Sequence, residues 1–283
     1  MTTVEPPEHV RATFGLREVT PVAMEDWEGG WRLGDVVLSP VADHARAAWS
    51  AKVRENLRVD GLRVARPVRA TDGRYVVSGW RADTYLPGTP EPRHDEVVSV
   101  SLRLHTATVA LDRPRFLAQP PAVTWLDVDV FAAADRAAWE AVPLRTLRAG
   151  GAVPLTSPDG RHSLELIGQL ATLRKPVRSP AQLVHGDLFG TVLFAGLDTP
   201  GLTDITPYWR PAAWAAGVIV VDALSWGGAD DGLLERWADL PEWPQMLLRA
   251  VMFRLAVHAL HPRSTAEALP GLARTADMVR LLL

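Results

Sequence analysis

Hydrophobic and polar positions along the first eighty residues form short runs, which predict strands with one helix among them. Residues 20–25 and 33–39 are β-type runs, and Pro40 ends the second. Asp43 suits an N-cap for a helix to about residue 58, whose expected apolar positions are Ala45, Ala48, Trp49, Val53 and Leu57. Residues 62–69 and 74–80 flank an Asp72-Gly73 pair, which is typical of a hairpin turn.

Beyond residue 80 the pattern changes from strands to helices. The segment 85–90 (YLPGTP) does not suit regular structure, which indicates a hinge at residues 81–90. Helical spacing recurs at 94–111, 130–147, 163–173 and beyond 211, and short β-type runs occur at 182–184, 192–195 and 202–205. We therefore expect a bilobal α+β fold. Residues 1–80 would form a β-rich, antiparallel N-lobe with one helix, and residues 91–283 a larger, mainly helical C-lobe.

Composition narrows the class of protein. The 283 residues carry a formal net charge of −3 and no cysteine, which argues against nucleic-acid partners and excludes disulfides and thiolate metal sites. The most apolar stretch, residues 211–226, is shorter than a membrane span and contains Asp222, so we expect a buried core helix and no membrane partner. The N-terminal residues lack a secretory pattern, which favours a cytoplasmic protein of unknown oligomeric state.

The most informative residues lie in the loop region 182–205. His185-Gly186-Asp187-Leu188 stands between two predicted strands, and Asp204 ends the next β-type run 17 positions after Asp187. A β-ribbon of this length can bring both carboxylates to one cleft. Phosphoryl transfer uses such a pair, because one carboxylate orients a hydroxyl and accepts its proton while another binds Mg²⁺. Taken alone, an Asp at the start of a loop is more often a turn residue.

The HGDL segment, the later Asp and the small β-rich lobe together resemble the aminoglycoside phosphotransferase-like family, which has the protein-kinase-like fold. The segment 185–194 (HGDLFGTVLF) resembles, more narrowly, an actinobacterial subgroup. The resemblance implies that Asp187 is the catalytic base, His185 supports its loop and Asp204 binds magnesium. It also implies that Asp222 braces the catalytic loop, and that ATP and Mg²⁺ are the cofactors.

Two positions depart from the family pattern. Thr191 stands where the family has a metal-binding Asn, so it would be the second metal ligand. Ser39 stands where a small-lobe strand ends in the family's phosphate-binding Lys. Lys52 on the next helix, or Arg32 on the neighbouring strand, would have to supply that charge. Glu55 would be the acidic partner of such a cation, or else an ordinary surface residue.

The Gly29-Gly30 pair can be interpreted in two ways. Its backbone N–H groups could cover nucleotide phosphates, or the pair could form a plain hairpin turn whose neighbours Trp27 and Trp31 fill the nucleotide cleft. Two functional hypotheses follow. The first is an ATP- or GTP-dependent phosphotransferase acting on a small hydroxylated molecule. The second is a catalytically silent, pseudokinase-like binding or scaffold protein of the same fold.

Overall fold

The computed structural model describes residues 4–24, 27, 29–118, 127–139 and 158–283. It confirms the α+β, two-lobed fold. The N-lobe contains helix α1 (Glu8–Thr13) and strands β1 (Val22–Ala23), β2 (Trp31–Leu33) and β3 (Val36–Pro40). Helix α2 (His44–Asn56) follows, and then strands β4 (Arg63–Val64), β5 (Pro67–Val68), β6 (Val76–Val77) and β7 (Trp80–Thr84). The antiparallel sheet has the order β1-β2-β3-β7-β5, and β6 pairs with β7.

The tight hairpin of the N-lobe lies six residues beyond the predicted one. Ser78 and Gly79 both have positive φ angles, of 48° and 78°, as a two-residue primed turn requires. They interrupt the predicted strand 74–80 and join β6 to β7, whose registered pairs include Val77 with Trp80. A chain reversal does occur at Asp72-Gly73, but β5 and β6 both pair with β7 and not with each other. The strand β7 continues to Thr84, into the predicted hinge.

Helix α2 begins as predicted but buries a second face besides the predicted one. The Asp43 side chain accepts a hydrogen bond from the Arg46 N–H at 3.0 Å, so the predicted N-cap is confirmed. Of the predicted apolar set, Leu57 is buried, and Trp49 and Val53 pack against the main core. The most buried residues of the helix were not predicted, because α2 lies between the lobes, where a small and charged face meets polar partners described below; they are Ala47, Ser50, Ala51 and Arg54.

The C-lobe is mainly helical, and two of its helices are almost completely buried beneath the others. Its helices are α3 (His94–Thr108), α4 (Arg115–Ala118), α5 (Asp127–Ala138), α6 (Pro158–Ala171), α7 (Ala212–Ser225), α8 (Leu233–Arg236), α9 (Trp243–Leu260) and α10 (Ala268–Arg280). Residues 213–224 of α7 are all buried, which confirms the predicted core helix. Helix α6 begins five residues before the predicted start, and residues 140–147 of the predicted helix 130–147 lie outside the described residues. No helix among the described residues could cross a membrane.

Four short strands of the C-lobe hold the loop region 182–205, and one of them also pairs with a strand of the N-lobe. Strand β8 (Gln182–His185) pairs with β11 (Pro207–Arg210), which the sequence pattern did not predict. Strands β9 (Val192–Leu193) and β10 (Gly201–Leu202) form a second sheet in which β10 also pairs with β4 of the N-lobe. At the hinge, Gly88 has a φ of 127° and a Cβ there would lie 2.6 Å from the Phe194 carbonyl oxygen. The hinge therefore lies directly on the backbone that follows β9.

We predict that Trp214→Ala lowers the free energy of unfolding by about 3–5 kcal/mol, the usual cost of removing a large aromatic side chain from a core. Trp214 of α7 is fully buried, and its ring centroid lies 5.4 Å from that of Tyr208 and 5.5 Å from that of Phe253. Urea unfolding measures the change. Leu197→Ala is the control, because Leu197 is fully exposed, and an equal effect of both variants would contradict the described core.

Candidate functional site

Asp187 stands at the start of the loop that joins β8 to β9. The residue before it, Gly186, donates its backbone N–H to the Thr206 carbonyl at 3.1 Å, so the loop begins against the entry to β11. A Cβ on Gly186 would overlap the Tyr208 ring. Only glycine lets the loop approach this ring, and the close approach fixes where the Asp187 carboxylate begins.

His185 supports this loop as a neutral side chain. The backbone N–H of Asp187 donates to His185 Nδ1 at 3.1 Å, so that nitrogen is an acceptor. In turn, His105 Nε2 accepts the His185 backbone N–H at 2.8 Å. Burial lowers the pKa of both imidazoles, that of His105 to about 3, and each is therefore neutral at neutral pH. Two neutral imidazoles, each accepting a backbone N–H, hold the start of the loop in place.

The Asp187 side chain is positioned by a buried ion pair behind it. Its Oδ1 accepts a hydrogen bond from Arg254 Nη2 of α9 at 3.0 Å, while 41% of the side chain remains exposed. Arg254 also binds both carboxylate oxygens of the buried Asp222 on α7, with Nε to Oδ1 at 2.7 Å. Asp222 therefore braces the Asp187 side chain through Arg254.

Asp222 and Arg254 have strongly shifted pKa values. Burial raises the pKa of Asp222 to about 7, although Arg254 acts to lower it. Burial would lower the pKa of Arg254, but the carboxylates of Asp222 and Asp187 outweigh burial and raise it. Arg254 is thus permanently charged and shared between two acids.

Asp204 lies at the junction of the lobes and is bound by N-lobe groups. Its Oδ1 accepts a hydrogen bond from Ser50 Oγ of α2 at 2.5 Å and lies 3.5 Å from Arg54 Nε. Its Oδ2 forms an ion pair with Arg81 Nη1 of β7. Burial alone would raise the pKa of Asp204, but Arg81, Arg54 and Ser50 hold it well below its usual range. Both oxygens of this carboxylate are therefore engaged within the protein.

A second acid completes this cluster. Asp83, also on β7, is buried and forms an ion pair with Arg54 Nη1 at 2.7 Å, and its Oδ2 lies 3.3 Å from Arg81 Nε. Two guanidinium groups and two carboxylates thus form a charge-balanced network. We call Arg54, Arg81, Asp83 and Asp204 the junction network.

Of the predicted nucleotide-site residues Ser39, Lys52 and Glu55, Ser39 alone lines the cavity that Asp204 borders. Ser39 is buried on β3 opposite Arg81 of β7, and both line a cavity of about 260 Å³ that Asp204 also borders. Lys52 is exposed. Glu55 binds Arg69, with the Glu55 Oε1 and Arg69 Nε atoms 2.9 Å apart, and accepts the Tyr75 hydroxyl at 2.8 Å on the N-lobe surface.

Thr191 and the two glycines are also engaged locally. The Thr191 hydroxyl contacts the carbonyl oxygens of Asp187, at 2.8 Å, and of Leu188, at 3.1 Å, within its own loop. The Gly30 N–H donates to the Trp27 carbonyl at 2.8 Å, and Gly29 has a φ of 79°. The glycine pair therefore lies in a turn, and the prediction that its backbone covers phosphates stays a prediction.

Trp27 and Trp31 flank this turn but lie in different places. Trp27 is buried in an apolar cluster between the lobes, with Val37 of β3, Ala65 that follows β4, and Leu193 of β9. The hinge residue Tyr85 closes this cluster, with its ring centroid 6.2 Å from that of Trp27. Trp31 packs instead against the N-lobe core. The indole of Trp27 thus fills the space where sheet, hinge and C-lobe meet.

A pocket of about 120 Å³ opens beside Asp187, and it adjoins the cavity that Asp204 borders. Thr206 and the β11 strand form one wall, and helices α4 and α5 contribute others. Arg210 of β11 lines the pocket and forms a bidentate ion pair with Asp135 of α5, at 2.8 and 2.7 Å. Arg210 therefore lines the pocket and forms a structural ion pair at the same time.

Three arginines at this site were not assigned a role from the sequence. Arg54 and Arg81 bind Asp204, and Arg254 joins Asp187 to Asp222. One signal did point to Arg254, since a buried carboxylate at Asp222 requires a cationic or hydrogen-bonding partner. No local pattern distinguishes Arg54 or Arg81 from the many exposed arginines of this chain.

The two lobes, the hinge and the loop region together define the fold of the aminoglycoside phosphotransferases and related kinases. Three solved structures share it over nearly the whole chain. A microcompartment-associated aminopropanol kinase has a TM-score of 0.58 and 15% identity, with 97% of this chain and 94% of that chain covered. An aminoglycoside phosphotransferase from Alicyclobacillus acidocaldarius has a TM-score of 0.56 and 18% identity, with 99% and 95% covered.

The third structure is a spectinomycin phosphotransferase in complex with ADP and spectinomycin. It has a TM-score of 0.57 and 9% identity, with 96% of each chain covered. No known family model and no curated protein matches this chain. At these identities the likeness establishes the fold, and the actinobacterial subgroup remains a prediction.

We predict that Arg254→Gln lowers the free energy of unfolding by about 3–5 kcal/mol at neutral pH, because it leaves Asp222 buried without its partner. The loss should grow as the pH rises. The pKa of Asp222 in the folded protein is already raised to about 7, and removing the cation raises it further. A folded state that holds the proton more tightly than the unfolded state loses stability as pH rises through the folded pKa.

Urea unfolding between about pH 5 and pH 8 measures this effect. The double variant Arg254→Gln with Asp222→Asn should lose the part of the pH dependence that Asp222 contributes, since no buried carboxyl remains at that position. A pH profile of the single variant that is parallel to that of the unchanged protein would contradict the assigned pair.

Proposed function

We propose that this protein binds a small hydroxylated molecule in the pocket beside Asp187 and does not transfer phosphate from ATP, which makes it a catalytically silent protein of the phosphotransferase-like fold. The observation that carries the proposal is the engagement of Asp204. Both of its carboxylate oxygens bind N-lobe groups, two of which are guanidinium groups.

These contacts do not fit a magnesium ion. Mg²⁺ requires about six oxygen ligands in near-ideal octahedral geometry, and in nucleotide sites it uses one or two carboxylates. Asp204 would have to release Arg81, and the ion would then lie among the positive charges of Arg81 and Arg54. The predicted second ligand, Thr191, already bonds backbone carbonyls of its own loop. Among the described residues, no group of three or more histidines and acids could hold a metal ion.

The apolar space between the lobes supports the same proposal. In the related fold, a nucleotide base requires a slot between the small-lobe sheet, the hinge and the large lobe. Here that space holds the indole of Trp27, packed against Val37, Leu193 and Tyr85. Nucleotide binding would therefore require Trp27 to leave a buried site, at the cost of exposing its apolar surface to water.

One observation favours the second candidate, an active phosphotransferase. Asp187 is partly exposed at a pocket and is held by Arg254 and Asp222, as a base that orients a hydroxyl would need to be. This half of a phosphotransfer site fits both candidates, because orienting a hydroxyl also serves binding alone. The two candidates differ at Asp204 and Trp27, and nucleotide binding therefore separates them.

We predict that millimolar ATP with Mg²⁺ leaves the melting temperature of the protein unchanged. A ligand present at about one hundred times its Kd adds about 2.7 kcal/mol to stability, which would raise the melting temperature of a chain of this size by several degrees. Differential scanning fluorimetry measures the shift, with GTP tested in parallel. An aminoglycoside phosphotransferase under the same conditions is the positive control.

A rise in melting temperature that requires Mg²⁺ and disappears in Asp204→Asn would contradict the proposal. Phosphate transfer from ATP to a small hydroxylated acceptor, abolished by Asp187→Asn, would establish the second candidate. Asp198→Asn is the matched control for both variants, since Asp198 follows β9 and lines neither the pocket beside Asp187 nor the cavity that Asp204 borders.

A further inference from the structure

We propose that the ligand of the pocket beside Asp187 is a small organic anion: a carboxylate on a single-ring or similarly compact apolar body that also carries a hydroxyl group. This inference rests on the proposed function and names its ligand class. It follows from the size of the pocket, the balance of charge in its lining and the apolar surface between the charges.

The size of the pocket limits the ligand to a compact molecule. Its volume is about 120 Å³. An apolar protein cavity of about 150 Å³ holds one benzene molecule, so this pocket takes a body of about one ring. A multi-ring aminoglycoside exceeds that volume several-fold. The fold shared with aminoglycoside phosphotransferases therefore does not extend to the dimensions of this pocket.

The charge of the described lining is positive. Four arginines line the pocket against two acids, Asp135 and Asp187: Arg46, Arg113, Arg136 and Arg210. Both acids are already balanced, since Asp135 forms a bidentate pair with Arg210 and Asp187 binds Arg254 from behind.

Two of the other three arginines carry the excess charge. The third, Arg46, forms an ion pair with Asp43 at 3.2 Å. Arg113 donates to the Leu117 carbonyl at 2.7 Å, and among the described residues neither Arg113 nor Arg136 has a carboxylate within 4.0 Å. Two arginines beside one pocket with no described carboxylate so close favour an anionic ligand, because a carboxylate accepts charge-assisted hydrogen bonds from guanidinium groups. A cationic amine would meet like charges there.

The rest of the pocket lining includes aromatic side chains, and one carboxylate oxygen of Asp187 has no hydrogen-bond donor among the described residues. Four aromatic side chains border the pocket: Phe116, Phe131, Tyr208 and Trp209. Burial raises the pKa of Tyr208, so its hydroxyl stays neutral and adds no negative charge. Oδ2 of Asp187 accepts no hydrogen bond from the described residues, whereas Oδ1 is bound by Arg254. An apolar ring can pack on the aromatic groups while its hydroxyl donates to Asp187 Oδ2.

The test compares three probes of one shape and different charge: 4-hydroxybenzoate, 4-hydroxybenzyl alcohol and 4-hydroxybenzylamine. Isothermal titration of the full-length protein without nucleotide or Mg²⁺ measures their affinities. We expect the benzoate to bind at least about tenfold more tightly than the alcohol, and the amine more weakly than the alcohol. Equal affinity for the benzoate and the alcohol, tighter binding of the amine, or no binding of any probe would overturn the proposal.

Two substitutions test whether Arg136 supplies the positive charge that binds the carboxylate of the ligand. Arg136→Gln should weaken binding of 4-hydroxybenzoate about tenfold and leave that of the alcohol unchanged. Arg136→Glu should reverse the preference between benzoate and amine, which a merely structural role of Arg136 would not do. Arg103→Gln is the matched control, since Arg103 is exposed on α3 and outside this pocket. If Arg136→Gln and Arg103→Gln behave alike, the assignment of Arg136 is wrong.

Adding ATP and Mg²⁺ to the same titrations separates this proposal from the previous one. Phosphorylation of 4-hydroxybenzoate would refute the proposal that the protein does not transfer phosphate from ATP. It would not contradict the proposed class of anionic ligand. If no probe binds and ATP with Mg²⁺ does not change the melting temperature, the proposed ligand class is wrong. The proposal that the protein does not transfer phosphate from ATP would then be unaffected.

Discussion

The interaction on which the arrangement of the lobes depends is the junction network of Arg54, Arg81, Asp83 and Asp204. It joins helix α2, strand β7 and the C-lobe loop region through ion pairs between Arg54 and Asp83 and between Arg81 and Asp204. Charges placed at a buried junction are costly unless each has an opposite partner, and here two positive and two negative groups balance. Changing any one member would leave an unpaired charge between the lobes, so the network constrains their relative position as well as the chemistry of Asp204.

The need for a partner for each buried charge also explains why Asp187 and Asp204, at the two ends of the loop region, have different surroundings. Asp187 and Asp204 both stand close to His185, whose pKa responds to both charges. Asp187 is bound only from behind, by Arg254, and keeps one oxygen toward a pocket. Asp204 is bound on both oxygens and faces cations. One oxygen of Asp187 therefore has no hydrogen-bond donor among the described residues, whereas both oxygens of Asp204 have protein partners.

Features that depend on neighbouring residues could be predicted from the sequence, and features that depend on distant partners could not. The Asp43 cap and the apolar helix α7 follow from local chemistry and composition, and both were confirmed. The hairpin at Ser78-Gly79 was missed because serine seldom adopts a positive φ. The junction network pairs Arg81 with Asp204 across 123 positions, and no local pattern carries that information. For the same reason the burial of Arg54 on α2 was not predicted, since its charge is balanced by the distant Asp83 and Asp204.

The Arg254–Asp222 pair helps to judge whether the Asp187 carboxylate has a role in ligand binding. A buried ion pair contributes little net stability compared with apolar residues of similar size, because desolvation offsets the attraction. This pair lies among the apolar residues of α7 and α9, where such residues would pack equally well. Its distinctive effect is to hold the Asp187 carboxylate at the edge of a pocket. A chain that no longer used Asp187 would gain nothing from that orientation, whereas a binding site that recognises a hydroxyl group depends on it.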